Sequence, residues 1–367
     1  MLTFLHAADL HLDSPFHALP PDRAAERRRE QRQLLDRLAQ AAHQAQADLV
    51  LLCGDLFDGQ RARPETVQAL YHTLEELEVP VFLAPGNHDP AVDDSPYARL
   101  PWPGNVHVFT APQPERVALP QLGVVVYGSA FTGPHRLEGP LTGFHAQEEG
   151  EALLLGCFHG DPASPHSRYG PITTQEIAAS GLHYLALGHL HTASGLQRAG
   201  WTYYAWPGCP EGRGFDETGD KGVYLGQMDD RGQVSLEFVP LARRRYLTPT
   251  LDITGQDPEE ALRAFLPTAR GEDIVRLTLV GERDENNEPD LTALTALASG
   301  YFYSAALYDQ TTLPQALWAR QEEDTLTGLF LRAMARRIQA AGPDQRPLLE
   351  RAARFGLAAL EGREEPR

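Results

Sequence analysis

Ala47-Asp48-Leu49-Val50-Leu51-Leu52-Cys53-Gly54-Asp55-Leu56-Phe57-Asp58 is the stretch whose reading decides the fold. Ala47–Cys53 is a short apolar run bounded by a polar turn, which predicts a buried strand. The strand breaks at a glycine, and two carboxylates follow it. The design recurs along the chain. Thr3–Ala8 predicts a strand that ends at Asp9-Leu10-His11, and Val79–Ala84 one closed by Pro85-Gly86 and followed by Asn87-His88-Asp89. Leu153–Phe158 predicts a strand ending at His159-Gly160, and Leu182–Leu187 one ending at Gly188-His189-Leu190-His191. Helical stretches at Pro21–Gln46 and Pro64–Glu78 lie between the first three, the second with proline at its start. Such alternation predicts α/β layers, two sheets with helices outside.

Each candidate ligand thus stands just past a strand. In Asp9-x-His11 and His189-x-His191, residues i and i+2 of an extended segment point to one side, so that a pair can share an ion. Glycine beside the ligands lets the backbone turn sharply. A lone Asp-x-His arises by chance; five ligand segments in order, each at a strand end, predict a metal site. Its donors are nitrogen and oxygen without thiolate, which favours Mn²⁺ over a structural zinc site. His6 reads as a packed core residue, and the histidines outside the five segments as surface or core. Asp58 has an alternative reading as a cap, and Asn87 as a turn former. The Gly208–Gly222 loop either brings Arg213 and Lys221 to substrate phosphates or is a glycine-rich connection with solvated charges. Trp102, Trp201 and Trp206 are either core residues or platforms for base stacking.

The chain has 367 residues, enough for one large domain and one or two small ones. No apolar run approaches the roughly 20 residues that span a bilayer, and no signal peptide precedes Asp9, so the expected location is cytoplasmic. Cys53, Cys157 and Cys209 are too scattered for a disulfide framework and read as core residues. A formal charge of −18 argues against holding nucleic acid by bulk electrostatics alone. Carboxylates that bind divalent metal, or a basic partner, soften that argument. Composition shifts at Arg243-Arg244-Arg245. Beyond it, strands at Thr250–Ile253, Ile274–Val280 and Phe302–Tyr308 with helices at Pro258–Phe265 and Leu291–Ala298 predict a small βαβαβ domain. Its acidic run Glu282–Asp290 reads as a solvated loop. From Pro314 the pattern is helical. Leu317, Leu326, Leu329, Phe330, Met334 and Ile338 form one apolar face, and Leu348, Leu349, Ala352, Phe355 and Leu360 another beyond a break at Pro343–Pro347. The expected domains are 1–242, 243–312 and 313–367.

The ordered series D-x-H, G-D-x-x-D, G-N-H-D, H, G-H-x-H resembles the calcineurin-like metallophosphoesterase superfamily. His6–His11 and Gly54–Asp58 resemble its SbcD-type DNA repair exonucleases. Asp13-Ser14-Pro15-Phe16 and Glu211-Gly212-Arg213-Gly214-Phe215 with Lys221-Gly222 look closest to the YhaO-like branch. The likeness is specific to residue 240 or so and looser beyond. It implies a four-layer α/β/β/α sandwich with a small βαβαβ capping domain and a helical tail. It implies that Asp9, His11 and His191 hold one metal, that Asn87, His159 and His189 hold a second, and that Asp55 bridges both. Two Mn²⁺, or two other divalent ions, would clamp a scissile phosphate. His88 would donate a proton to the departing 3′ oxygen or stabilise its charge, with Asp58 orienting it. The resemblance further implies a DNA nuclease, an exonuclease alone or an endonuclease as well, acting in repair as a homodimer. Its helical tail would grip an SMC-like coiled-coil ATPase, SbcC-like or, in this branch, YhaN-like. The competing expectations are a small-molecule phosphodiesterase or phosphatase with the same chemistry, and a non-catalytic scaffold for the ATPase.

Overall fold

The structure, a computed structural model, describes all residues except 18, 60, 148, 149, 151, 285–287, 343, 344 and 363–367, and at 347 the backbone alone. Two compact units divide the chain, Met1–Arg245 and Tyr246–Arg367.

In the first unit the strands are β1 (Leu2–Ala7), β2 (Leu49–Leu52), β3 (Val81–Leu83), β4 (Val106–Val108), β5 (Glu115–Leu119), β6 (Val124–Gly128), β7 (Leu153–His159), β8 (Tyr184–Gly188), β9 (Gln197–Ala199), β10 (Thr202–Ala205), β11 (Gly222–Met228) and β12 (Val234–Pro240). The helices are α1 (Pro21–Gln44), α2 (Pro64–Glu76), α3 (Pro96–Arg99) and α4 (Thr174–Ala179). The first sheet runs β12-β11-β1-β2-β3-β4 and the second β5-β6-β7-β8-β10-β9. Strands β1 to β4 are mutually parallel, as are β6, β7, β8 and β10.

Strand β2 shows why the sequence selects this layering. Its alternate residues serve two cores. Val50 and Leu52 pack with Leu34, Leu38, Leu70 and Leu74 of α1 and α2. Leu49 and Leu51 pack with Phe4 and Phe82 of their own sheet and with Val126, Leu155 and Tyr184 of the other. A strand covered on both faces needs no polar residue, hence the unbroken run LVLL. The outer face of the second sheet is thinly covered: Ile177 of α4 with Leu141 and Ala146 packs on Val125, Leu154, Phe158 and Leu185. The order of layers is therefore α/β/β/α.

The first unit closes three residues past Ala242, because Arg243 and Arg244 are tied into it. The buried Glu211 carboxylate accepts the backbone N–H groups of both, at 2.9 and 3.3 Å, and the Arg27 guanidinium at 3.0 Å. Arg244 also pairs with buried Glu30 at 2.5 Å.

The second unit contains β13 (Tyr246–Leu247), β14 (Thr250–Asp252), β15 (Ile274–Val280) and β16 (Ser304–Asp309), with α5 (Pro258–Phe265) and α6 (Leu291–Ala298) between them. Strand β15 pairs in parallel with β13, β14 and β16. Asp257 and Asp290 cap the two helices by accepting N–H groups of their first turns. The acidic run is less solvated than expected: Glu288 pairs with Arg351 and Arg354, and 285–287 lie outside the described residues. Helices α7 (Gln315–Ala319), α8 (Leu326–Ala340) and α9 (Arg346–Leu360) follow. On α9 Ala353, Leu357 and Ala358 are buried, while Leu348, Phe355 and Leu360 of the apolar face read from the sequence stay exposed, as do Leu326 and Leu329 on α8. Among the described residues no helix is long and apolar enough to cross a membrane.

Candidate metal centre

The five ligand segments meet at the C-terminal ends of the parallel strands β1, β2, β3, β7 and β8, where an α/β sheet leaves its loops free to hold a ligand. Curled backbone, rather than strand alternation, brings the pairs together. Asp9 (φ 54°), His11 (φ 44°), Asp55 (φ 50°) and His189 (φ 109°) all adopt left-handed conformations. Such conformations cost on the order of 1–3 kcal/mol for a side-chain-bearing residue and persist where the surroundings over-determine them. Here the N–H groups of Asp9, His11 and Leu12 donate to the carbonyls of Gly54, Asp55 and Leu56 at 3.0, 2.9 and 2.8 Å. The expectation that Asp9 and His11 share a face of an extended segment is corrected accordingly. Gly54 (φ 83°) is required at its position, because a Cβ there would overlap the His159 ring.

Hydrogen bonds to the far side of three imidazoles fix which nitrogen faces inward. His11 Nδ1 donates to Asp58 at 3.0 Å, His191 Nδ1 to Glu217 at 2.8 Å, and His159 Nδ1 to the Cys53 carbonyl at 2.8 Å. Each Nε2 is left with a lone pair. Those of His11 and His191 face one another at 3.2 Å. That of His159 lies 3.1 Å from Asn87 Oδ1 and 3.5 Å from Asp55 Oδ2, and His189 Nδ1 lies 3.2 Å from the same Asn87 oxygen. Ligand atoms of Asp9, His11 and His191 lie within 4.8 Å of one another, and so do those of Asp9, Asp55 and His159. Acceptors converging without a hydrogen between them repel; a cation in their midst reverses the sign. The donor set therefore fits divalent metal.

The charges agree with this reading. Burial pushes the Asp55 carboxyl up, but the imidazoles of His159, His11 and His88 outweigh it and hold the pKa below the usual range. Burial likewise lowers His159, yet the Asp55 and Asp9 carboxylates hold it above the ordinary histidine value. His88 differs. It is the half-exposed ring at the mouth, and burial lowers its pKa with only partial compensation from Asp55 and Asp58.

Three side chains depart from their expected places. The motif sets Asp58 to orient His88; its Oδ1 lies 3.8 Å from His88 Nδ1 but 3.0 Å from His11 Nδ1, so its hydrogen bond serves His11. Arg213 does not stand free for phosphate but pairs with Asp58 at 3.1 Å and Glu217 at 2.6 Å. Lys221 Nζ donates to the His191 carbonyl at 2.8 Å. Of the tryptophans, Trp102 stacks on Tyr97, Trp206 Nε1 donates to the Thr192 carbonyl, and Trp201 is exposed.

Two further residues belong to the site without a predicted role. Glu217 is one. Asp89 is the other: its buried carboxylate accepts the N–H groups of Asp55, Leu56, Phe57 and Gly86 at 3.2, 2.7, 3.0 and 2.9 Å, locking the β2 and β3 ligand loops together. Burial and the Asp55 charge raise its pKa to about 6. Its place beside His88 in Gly86–Asp89 is the signal that could have found it. The Cys53 and Cys157 thiols are buried 3.6 Å apart between the sheets.

Residues 2–193 match the calcineurin-like phosphoesterase family. The chain is 32% identical over 252 residues to the uncharacterised metallophosphoesterase YhaO of Bacillus subtilis, covering 65% of this chain and 60% of YhaO. It is 26% identical over 323 residues to the DNA double-strand break repair protein Mre11 of Methanopyrus kandleri, covering 80% of this chain and 68% of that one. With the SbcD component of the SbcCD nuclease of Rhodobacter capsulatus it shares 26% identity over 227 residues, 54% of this chain and 50% of that one. The chain thus spans between half and about two thirds of the length of these relatives.

Proposed function

This chain belongs to the calcineurin-like phosphoesterase family, and we propose that it is the nuclease subunit of a DNA repair complex, hydrolysing phosphodiester bonds with two Mn²⁺. The observation that carries the reading is the convergence of lone-pair donors, with the Nε2 atoms of His11 and His191 at 3.2 Å and those around Asn87 and His159 at 3.1 Å. Asp9, His11 and His191 would hold one ion, Asn87, His159 and His189 the other, with Asp55 shared between them. When bound, the ions supply positive charge for the phosphodiester and acidify a water for attack on phosphorus. His88 stands at the mouth. With its lowered pKa it is a neutral imidazole at neutral pH, whose N–H can reach the charge that gathers on the leaving oxygen. Asp58 and Glu217 hold His11 and His191 in their tautomers.

DNA as the substrate is supported by the likeness to relatives named for nuclease activity and double-strand break repair. The capping domain is assigned to contact with DNA, and homodimerisation to the first unit. An SMC-like coiled-coil ATPase as partner is supported by Leu326, Leu329, Leu348 and Phe355, which α8 and α9 leave exposed. Duplex DNA and bis-p-nitrophenyl phosphate, each assayed with Mn²⁺ and with and without the ATPase, test the reading. Mn²⁺-dependent cutting of DNA is expected. Turnover of the small ester alone, with the ATPase present, would leave a small-molecule phosphodiesterase; bound metal without hydrolysis of either would leave a scaffold.

A further inference from the structure

The Gly208–Gly222 loop closes a ring of side chains behind one half of the metal centre. His11 Nδ1 donates to Asp58 Oδ1 at 3.0 Å, and Arg213 Nη1 donates to the same oxygen at 3.1 Å. The other arm of that guanidinium, Nη2, reaches Glu217 Oε1 at 2.6 Å, and this oxygen also accepts His191 Nδ1–H at 2.8 Å. The ring closes on its inner side, where the Nε2 atoms of His11 and His191 stand 3.2 Å apart. Arg213 itself is held by its Nε, 3.2 Å from both Glu217 oxygens, and by its backbone N–H, which donates to Glu217 Oε2 at 2.8 Å. The Glu217 N–H donates to the Gly214 carbonyl at 3.0 Å.

Five donors in a rigid plane distinguish arginine from lysine, whose single ammonium cannot hold two carboxylates at fixed separation. The guanidinium here spends its donors on two carboxylates that each hold one imidazole. His159, by contrast, is held by a backbone carbonyl.

We propose that Arg213 is a positioning residue that sets the spacing of His11 and His191, and with it the affinity of the ion those two imidazoles face, without touching substrate. The proposal rests on the dinuclear reading above. Its reach is selective: the ion at Asn87, His159 and His189 is held by residues outside the ring.

Selectivity gives the test. Mn²⁺ binding is measured by calorimetry on the full chain in two backgrounds. Asn87→Ala keeps the His11 and His191 side; His11→Ala keeps the Asn87 and His159 side. Adding Arg213→Lys to the first should weaken the remaining ion 10–100-fold, the usual effect of losing an outer hydrogen-bond partner, and adding it to the second should change affinity less than about threefold. Glu217→Gln, which breaks the same ring from the other side, should repeat the pattern, and circular dichroism of each variant checks that the fold survives. Unchanged affinity in the Asn87→Ala background, or equal losses in both, would overturn the proposal. Failure of the dinuclear reading looks different: the unmodified protein itself would bind no Mn²⁺ or a single ion.

Discussion

Acid should loosen the strand ends that carry the metal centre, and His6 sets the size of the effect. The His6 ring is fully buried; the Tyr184 hydroxyl donates to its Nδ1 and its Nε2 donates to the Leu187 carbonyl, each at 2.9 Å. It thereby ties β1, which leads into Asp9 and His11, to β8, which leads into His189 and His191. Burial pushes its pKa down to about 3 from the ordinary 6.5, the bond to Leu187 offsetting only part. Because the folded value lies below the unfolded one, the stability contributed by the neutral ring is present above pH 6.5 and is lost as the pH falls from 6.5 toward 3. The whole displacement corresponds to about 5 kcal/mol, of which roughly half is lost between pH 7 and pH 4.5. His6→Gln removes the titrating ring but keeps a side chain that can donate and accept. Urea unfolding of the chelator-treated protein at the two pH values measures the difference, since chelation removes the coupling between metal binding and histidine protonation. The wild type should lose about 2–3 kcal/mol more than the variant over this interval. Equal losses in the two proteins would refute the argument, because the buried ring would then titrate alike in the folded and unfolded chains.

Other perturbations separate the roles within the site. His88→Ala should keep its metal and lose about 10²- to 10⁴-fold in cleavage, the range of a positioned acid or base; normal cutting by this variant would remove His88 from the chemistry. Asp55→Ala should lose both ions, read as metal content after gel filtration. Asp89→Ala strands the buried N–H groups of Asp55, Leu56, Phe57 and Gly86, each costing about 1–3 kcal/mol, so the melting temperature should drop well below that of Asp89→Asn, whose carbonyl still accepts. Gly54→Ala places a methyl against the His159 ring at φ 83° and should weaken Mn²⁺ binding even where the fold is retained.

The ligands are legible in the chain because each combines a strand end, a break and a metal-binding side chain within a few residues. Asp55 follows LVLL and a glycine; His159 ends an apolar run. These are local signals, and the fold keeps them local. The residues that hold the ligands in place carry no such signal. Glu217 lies in a loop where Asp216 and Asp220 are equally good candidates, and only the closure of that loop on His191 selects it. Asp58 is legible as a member of its motif, but spacing in a turn does not say which of two imidazoles its carboxylate will meet; the curl at Asp9 and His11 decides for His11. The same curl explains why the i, i+2 rule finds the right pair with the wrong geometry. In the second unit, Pro258–Phe265 and Leu291–Ala298 match their predicted bounds to the residue, since proline or aspartate marks each start. On α9 the apolar face read from the sequence, with Leu348, Phe355 and Leu360, stays exposed, and Ala353, Leu357 and Ala358 are buried. Ala353 is fully buried there, and a Cβ on Gly356 would meet the Phe330 ring.

Counting ions tests the central claim most directly. Wild-type protein dialysed against Mn²⁺ and freed of excess should carry two ions per chain and cut duplex DNA, and Asp55→Ala should carry neither ion and cut none. A wild-type chain that retains one ion or none, or an Asp55→Ala chain that still holds two, would contradict the account.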